Sequence, residues 1–316
     1  MNDITTTAAN DIIRSEAIAQ TFLDYGADKA VFLPLARYWP DLMAPGQPAK
    51  MNVPVLSGAI PTADDNGAWA DTEYDATEGA ALGNSALTTG SVSVTVGKYG
   101  YMVTVTDEVG EDSAFAGAFM AAMVQNAALI ITSAKEIDGL ALLSGLSNGV
   151  GSSGVNITIA QAVAMSDGPR NRGFHPMDNG AYIFDNVTWA DLRDLLIATS
   201  TSWAVYPGLA EKFLGAAPSG DNGLATGMVG VFLGAPVFVT GQTPTANAGA
   251  DVLSAFITPS SPGNDSVATF GYADKRPLSL ETQRHPEAGG EKFVFFSRGA
   301  SFEAVDGSAT KATTDA

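Results

Sequence analysis

Residues 91–108, SVSVTVGKYGYMVTVTDE, switch the parity of their apolar alternation halfway along. Val92, Val94 and Val96 fall on even positions, whereas Tyr99, Tyr101, Val103 and Val105 fall on odd ones. Successive side chains of a strand point to opposite faces, so a single strand cannot keep one buried face across that switch. A β-bulge would absorb it, and Gly97-Lys98 is the natural place for the extra residue. Directly after this strand comes an apolar-periodic run, DSAFAGAFMAAMVQNAALIITSAKEIDGLALLS. It predicts a helix from Asp112 to Ser144, capped by Asp112 or Ser113 and stopped by Gly145. Phe115, Phe119, Met123, Ile130, Ala134, Ile137 and Ala141 step by three, four or seven and define its expected core face. At 1.5 Å per residue such a helix is about 50 Å long, far beyond the usual three to four turns. Long strand and long helix together make a beam.

Upstream, Asn10 to Tyr25 reads as a short amphipathic helix with Ile13, Ala17 and Phe22 along one face. Prolines at 34, 40, 45, 48 and 54 follow, a density that predicts an extended arm without helix. Residues 56–90 then show no helical period, few large apolar side chains and six acids. The strand at Val53 and Val55 and the strand opening at Ser91 read as the two legs of a long hairpin, reaching roughly 55 Å. A two-stranded ribbon is marginal in water unless it lies on something. The chain offers it no internal platform, which points to a neighbouring copy.

After Gly145 the texture changes. GAYIFDN reads as a buried strand, VTWADLRDLLIAT as a helix capped by Thr188, and GMVGVFLGAPVFVTG as two strands around Gly234. SAFITP supplies another strand, and the alternation from about 147 to 270 predicts a compact α/β unit. RPLSLETQRHPEAGGEKFVFFSRGASFEAVDG predicts antiparallel strands turning at Gly289-Gly290, and SATKATTDA reads as a frayed end.

Several chemistries are excluded or disfavoured. The net charge is −18 and the pI near 4.2, and the 16 Lys and Arg form no basic run, which argues against gripping nucleic acid by its phosphates. With no cysteine there are no disulfides, zinc-thiolate sites or thiol nucleophiles. Charged residues are only 16% of the chain, so much of its outside is small and neutral or covered by neighbours. The N-terminus lacks the basic start and apolar run of a signal peptide, and no apolar stretch is long enough to span a bilayer. A soluble protein made inside a cell is expected. GLSNG (145–149) matches the nucleophile-elbow pattern and GVGSSG (149–154) the dinucleotide fingerprint, but a helix precedes both where each motif needs a strand. Both read as a joint between domains. His175 and His285, the only histidines, each precede a proline and read as exposed loop residues. Asp71, Glu73 and Asp75 would share one face of a strand and suit either Ca²⁺ or the basic groups of a neighbour. Trp69 beside them needs a cover.

Taken in order, these passages resemble the major capsid proteins of tailed double-stranded DNA bacteriophages, a Hong Kong 97-type fold shared with encapsulins and the floor of herpesvirus capsids. The passages that carry the resemblance are KMNVPVL, GAWADTEYDATEG, VSVTVGKYGYMVTVTDEVGEDS, IDGLALLSGL, AYIFDNVTWADLRDL and the terminal strand pair. The resemblance implies an α+β fold with an N-terminal arm (1–49), an extended loop (50–95) and a peripheral domain (96–146 and 271–316) built on the spine helix 112–144. An axial domain (147–270) completes it. The extended loop would lie across an adjacent subunit, and Trp39, Trp69, Asp71, Glu73, Asp75, Glu78 and Lys98 are the expected inter-subunit contacts. The implied function is structural: copies assemble through hexamers and pentamers into an icosahedral virion shell around DNA, without catalysis, cofactor or metal. Assembly in the host cytoplasm is expected, with scaffolding, portal and decoration proteins as further partners and no membrane. The sequence has no lysine between Lys50 and Lys98, which speaks against covalent crosslinking through that loop. An encapsulin-like compartment holding a cargo enzyme is the second reading. An acidic, β-rich enzyme or carbohydrate-binding protein is the third.

Overall fold

A computed structural model describes residues 30–39, 50–57, 88–107, 116–172, 180–199, 228–260 and 268–315. The expected helix at 10–25, the loop residues Trp69, Asp71, Glu73, Asp75 and Glu78, the helix entry at Asp112 and Phe115, and His175 lie outside the described residues. Along the first part of the chain come α1 (Phe32–Leu35), β1 (Arg37–Tyr38), β2 (Lys50–Ser57), β3 (Thr88–Thr95), β4 (Gly97–Thr106) and α2 (Ala116–Leu140). Then follow β5 (Gly149–Gly151), α3 (Ile159–Asn171), β6 (Ala181–Phe184), α4 (Asn186–Thr199), β7 (Met228–Phe232), β8 (Ala235–Val239) and β9 (Thr245–Ala246). The last strands are β10 (Asp251–Ile257), β11 (Phe270–His285), β12 (Gly290–Glu303) and β13 (Thr310–Asp315).

Two larger sheets and a ribbon organise these elements. A four-stranded sheet runs β1-β11-β12-β4, and a mixed sheet runs β5-β13-β10-β6-β8-β7 with β9 added beside β10. Strands β2 and β3 pair only with each other. The parity switch is real, but its cause differs from the expectation. Gly97 and Lys98 pair in unbroken register with Gly299 and Arg298, so they form no bulge. The break falls at Val96, where the chain leaves its pairing with β2 and joins β12. Even-numbered Val92, Val94 and Val96 pack with Ala273, Ala300 and Phe302, while odd-numbered Tyr99, Tyr101, Val103 and Val105 pack with Phe293, Phe295 and helix α2. Two neighbours on two faces require two parities.

Helix α2 continues through a 3₁₀ turn, Ala141–Gly145, so the glycine stop holds. Its core face is not the expected one. Met123, Ala127, Ala128 and Ile131 are buried on the four-stranded sheet, but Ile130 is 38% and Ile137 52% exposed. Each i→i+4 step advances about 40° around a helix. The buried row Met123, Ala127, Ile131, Lys135, Gly139 therefore rotates by about 160° and hands the helix from the sheet to α1. A Cβ at Gly139 would fall inside the Phe32 ring, so glycine permits this contact. The turn α1 itself overturns the expectation of an arm without helix. Pro34 sits in its first turn, where a missing N–H costs nothing.

Four further expectations change. Helix α4 is capped by Asp185, whose carboxylate accepts the Val187 N–H at 2.8 Å. Thr188 instead is buried, with its hydroxyl 2.9 Å from that of Thr314. The end of the chain is not frayed. Thr310–Asp315 forms β13 between β5 and β10, with Thr310, Ala312 and Thr314 buried. It therefore sits in the mixed sheet, away from β11 and β12. Finally, His285 closes strand β11, half-buried, with its Nδ1 enclosed and without a hydrogen-bond partner among the described residues.

The mixed sheet is covered on both faces. Tyr182, Phe184, Val237 and Phe256 meet α3 and α4, while Ala181, Ile183, Ala255 and Ile257 meet α1, Leu140, Leu143 and Phe270. That second cluster joins both sheets. Helix α3 is entered through a capping box, with Thr158 and Gln161 exchanging backbone N–H bonds of 2.8 and 3.2 Å.

Candidate assembly surface

The ribbon is built from residues Lys50↔Thr95 through Ser57↔Thr88, and among the described residues neither outer edge is paired. Its backbone groups are therefore open to a further strand or to water. Its base is fastened to its own subunit by Val94, only 2% exposed, with Val92 and Val96 beside it. Trp39 belongs to that base. Its N–H donates to the Tyr272 carbonyl at 2.8 Å, its indole lies 6.2 Å from the Phe302 ring, and the Arg37 guanidinium stands 4.0 Å over it. The indole Nε1 is buried and has no acceptor among the described residues. Trp39 thus contacts its own subunit first. Lys98, three residues past the ribbon, is exposed on the four-stranded sheet with its Nζ 5.3 Å from the Phe296 ring. Phe119 lies within α2, and Met123 is buried against the sheet.

Two charged residues in the apolar helix went unread in the sequence. Glu136 is 2% exposed, and its Oε1 accepts the Val31 and Phe32 N–H groups at 2.8 and 2.6 Å. It caps α1 from the side of another helix. Burial pushes its carboxyl pKa up, while the backbone N–H bonds pull it back. Lys135, beside it, donates to the Tyr272 hydroxyl at 2.8 Å and to Asp274 at 3.0 Å. Tyr99 donates to Asp138, and burial with that acid nearby holds its phenol well above the usual range. The available signal was an adjacent Lys-Glu pair inside an otherwise apolar run. Together these bonds fix the beam to the arm and to β11.

The two sheets meet at a polar corner. Thr258, Thr269 and Ser308 are buried there and bond one another's hydroxyl and backbone groups. Asp306 accepts the Ser147 N–H at 2.8 Å, and Arg172 donates to the carbonyls of Gly307 and Ala309. The motifs at 145–154 belong to this corner and to the short strand β5, neither a nucleophile elbow nor a phosphate loop. Among the described residues no group of three or more His, Asp or Glu could hold a metal ion. No described helix is long and apolar enough to cross a membrane.

No family model and no curated protein matches the sequence. Solved structures do match it along nearly its whole length. The capsid of Ralstonia phage GP4 superposes with a TM-score of 0.62 at 8% identity, covering 92% of this chain and 92% of that one. The capsid of Cyanophage P-SCSP1u gives 0.58 at 10% identity, over 90% and 88% of the two chains. A virus-like particle from Pyrococcus furiosus gives 0.53 at 9% identity, over 94% and 98%. The chain has the α+β fold of tailed-phage capsid proteins. That fold is the Hong Kong 97-type.

Proposed function

We propose that this chain is the repeating subunit of an icosahedral shell, assembling through hexamers and pentamers around double-stranded DNA and performing no catalysis. The observation that carries the reading is the ribbon β2–β3, which among the described residues has both edges unpaired and leads into an acidic segment. The near-complete overlap with capsid proteins supports it. On this reading β1, β4, β11, β12 and the spine helix are the peripheral domain. The mixed sheet, including the C-terminal strand, is the axial domain. Trp69, Asp71, Glu73, Asp75 and Glu78 are contacts to a neighbour, and shells form in the host cytoplasm. Scaffolding, portal and decoration proteins would be separate chains. Many individually weak contacts then add up, because each bond made in a closed lattice raises the local concentration of the next.

The test is to purify the chain and a variant lacking residues 60–85, and to size both by light scattering. The full chain forms large closed particles and the variant remains a folded small species. Normal particles from the variant, or a monomeric full chain, overturn the reading. A compartment shell holding protein cargo is the second reading, favoured by the overlap with a virus-like particle. Particles purified from cells with protein inside and no DNA would establish it instead.

A further inference from the structure

The face of the four-stranded sheet turned away from the spine helix carries a row of cations that no single strand reveals. Lys98 of β4 pairs directly with Arg298 of β12, and Arg298 pairs directly with Arg276 of β11. Directly opposite residues of antiparallel strands project from the same face at close quarters, where like charges repel. Lys98 and Arg276 both lie over the Phe296 ring, at 5.3 and 4.2 Å, which places them on that common face. Lys292 lies on the same face of β12 by alternation, farther along the strand. The one carboxylate seen among them is Glu281, 3.3 Å from Arg276 in an exposed pair. Lys98, Lys292 and Arg298 have no carboxylate partner among the described residues. Exposed Met102 adds apolar surface to the row, while the Phe296 ring lies buried beneath the two cations. In a chain of net charge −18, a repelling cation cluster is stabilised by bringing an anion to it.

We propose that this row is the docking site for the acidic segment 64–78 of a second copy of the chain. The proposal rests on the shell reading and names the contact that segment makes. Residues 58–87 hold six acids and no Lys or Arg. Asp71, Glu73 and Asp75 alternate, so an extended strand presents them on one face over about 13 Å. Three cations on adjacent strands span about 10 Å, so an acidic strand crossing the sheet meets them one to one. The ribbon's eight residue pairs span about 26 Å from its Lys50–Thr95 end, next to Lys98, to its Ser57–Thr88 end, so to reach Lys98 of its own copy the segment would have to double back over that length. A neighbouring copy needs no reversal.

The absence of cysteine makes the pairing directly testable. A chain carrying both Glu73→Cys and Lys98→Cys is expressed in cells, and the purified particles are oxidised with diamide and run on a denaturing, non-reducing gel. Disulfide-linked oligomers longer than dimers are expected. A fast-migrating crosslinked monomer shows that the segment folds onto its own subunit, and no crosslink shows that it docks elsewhere. Either result overturns the proposal, while particle formation by the parent chain independently decides the shell reading. A second experiment reverses the row with Lys98→Glu and Arg298→Glu, with circular dichroism to establish folding. Particle formation is lost and returns when Asp71→Lys and Glu73→Lys are added. Should the reversed row still assemble, or lose packaged nucleic acid while assembling, the row does not hold the segment. Where the reversed variant does not fold, the neutral pair Lys98→Gln and Arg298→Gln replaces it, and undiminished particle yield from that pair overturns the proposal.

Discussion

The two sheets of this protein are finished to different degrees. Every residue of β6 and β10 is buried, because helices α3 and α4 close one face of the mixed sheet and α1 with the end of the spine helix closes the other. The four-stranded sheet is covered by the spine helix on one face, and on the other only where the ribbon base and Trp39 meet Ala273, Ala300 and Phe302. Spine residues Met123, Ala127 and Ile131 cover Phe293 and Phe295, and the opposite face shows Lys98, Arg276 and a 58% exposed Met102. A sheet with two covered faces completes its core within one chain. The stretch of that second face beyond the ribbon base leaves a surface of cations and scattered apolar groups. On the shell reading proposed above, the first sheet would account for stability and the second for association.

Breaking that contrast should first show in the core. Phe256 is 1% exposed, with its ring 4.7 Å from that of Tyr182 in an edge-on contact. Phe256→Ala removes that ring from a site closed on all sides and is expected to cost about 3–5 kcal/mol. Met102→Ala on the open sheet is expected to stay within about 0.5 kcal/mol. Urea unfolding of both variants makes the comparison, and equal losses would mean that the outer face of the four-stranded sheet is already covered in the monomer.

The joint between the regions should respond next. Gly139→Ala pushes a methyl into the Phe32 ring, an overpacking cost of about 1–3 kcal/mol. Better helix propensity returns up to about 1 kcal/mol of it. The loss should be local, since Phe32 is held by Gly139 and by the Glu136 carboxylate. Hydrogen exchange is the suitable measurement: the amides of Val31 and Phe32 should exchange faster while those of β6 and β10 do not change. Uniform acceleration would show that α1 has no separate role in joining the sheets.

What the sequence disclosed follows the range of the signals involved. Alternation is local, so the parity switch and the buried strand AYIF were legible. The pairing partner of a strand is not local, so a break at Val96 was mistaken for a bulge at Gly97-Lys98. The spine helix was legible from its period, but a period cannot reveal that α1 waits at its far end and rotates the buried face past Ile130 and Ile137. TKATTD looks like a polar tail, and only its place between β5 and β10 buries Thr310 and Thr314. The cation row was least accessible. Lys98 could be singled out, but Arg276 and Arg298 reach it only through the register of three strands, two of them distant in sequence.

The smallest expected effect lies at the corner where the two sheets meet. Glu303 ends β12, and its carboxyl interacts with that of Asp306 in the link to β13. Asp306 accepts the Ser147 N–H at 2.8 Å. Partial burial and then the neighbouring Asp306 carboxyl hold the Glu303 pKa above the ordinary carboxylate range, with Lys311 opposing. In the unfolded chain Glu303 loses its proton first as pH rises. Between that point and its raised value in the fold, the native state binds more protons, so stability falls with increasing pH. The contribution is fully present at acid pH and is lost once Glu303 ionises beside Asp306. Glu303→Gln retains an amide donor toward Asp306 and cannot ionise. Its thermal midpoint should therefore match the parent at acid pH and exceed it slightly near neutrality. A midpoint below the parent's near neutrality would mean that the ionised Glu303 is stabilised at this corner by its cationic neighbours, with Lys311 prevailing over Asp306.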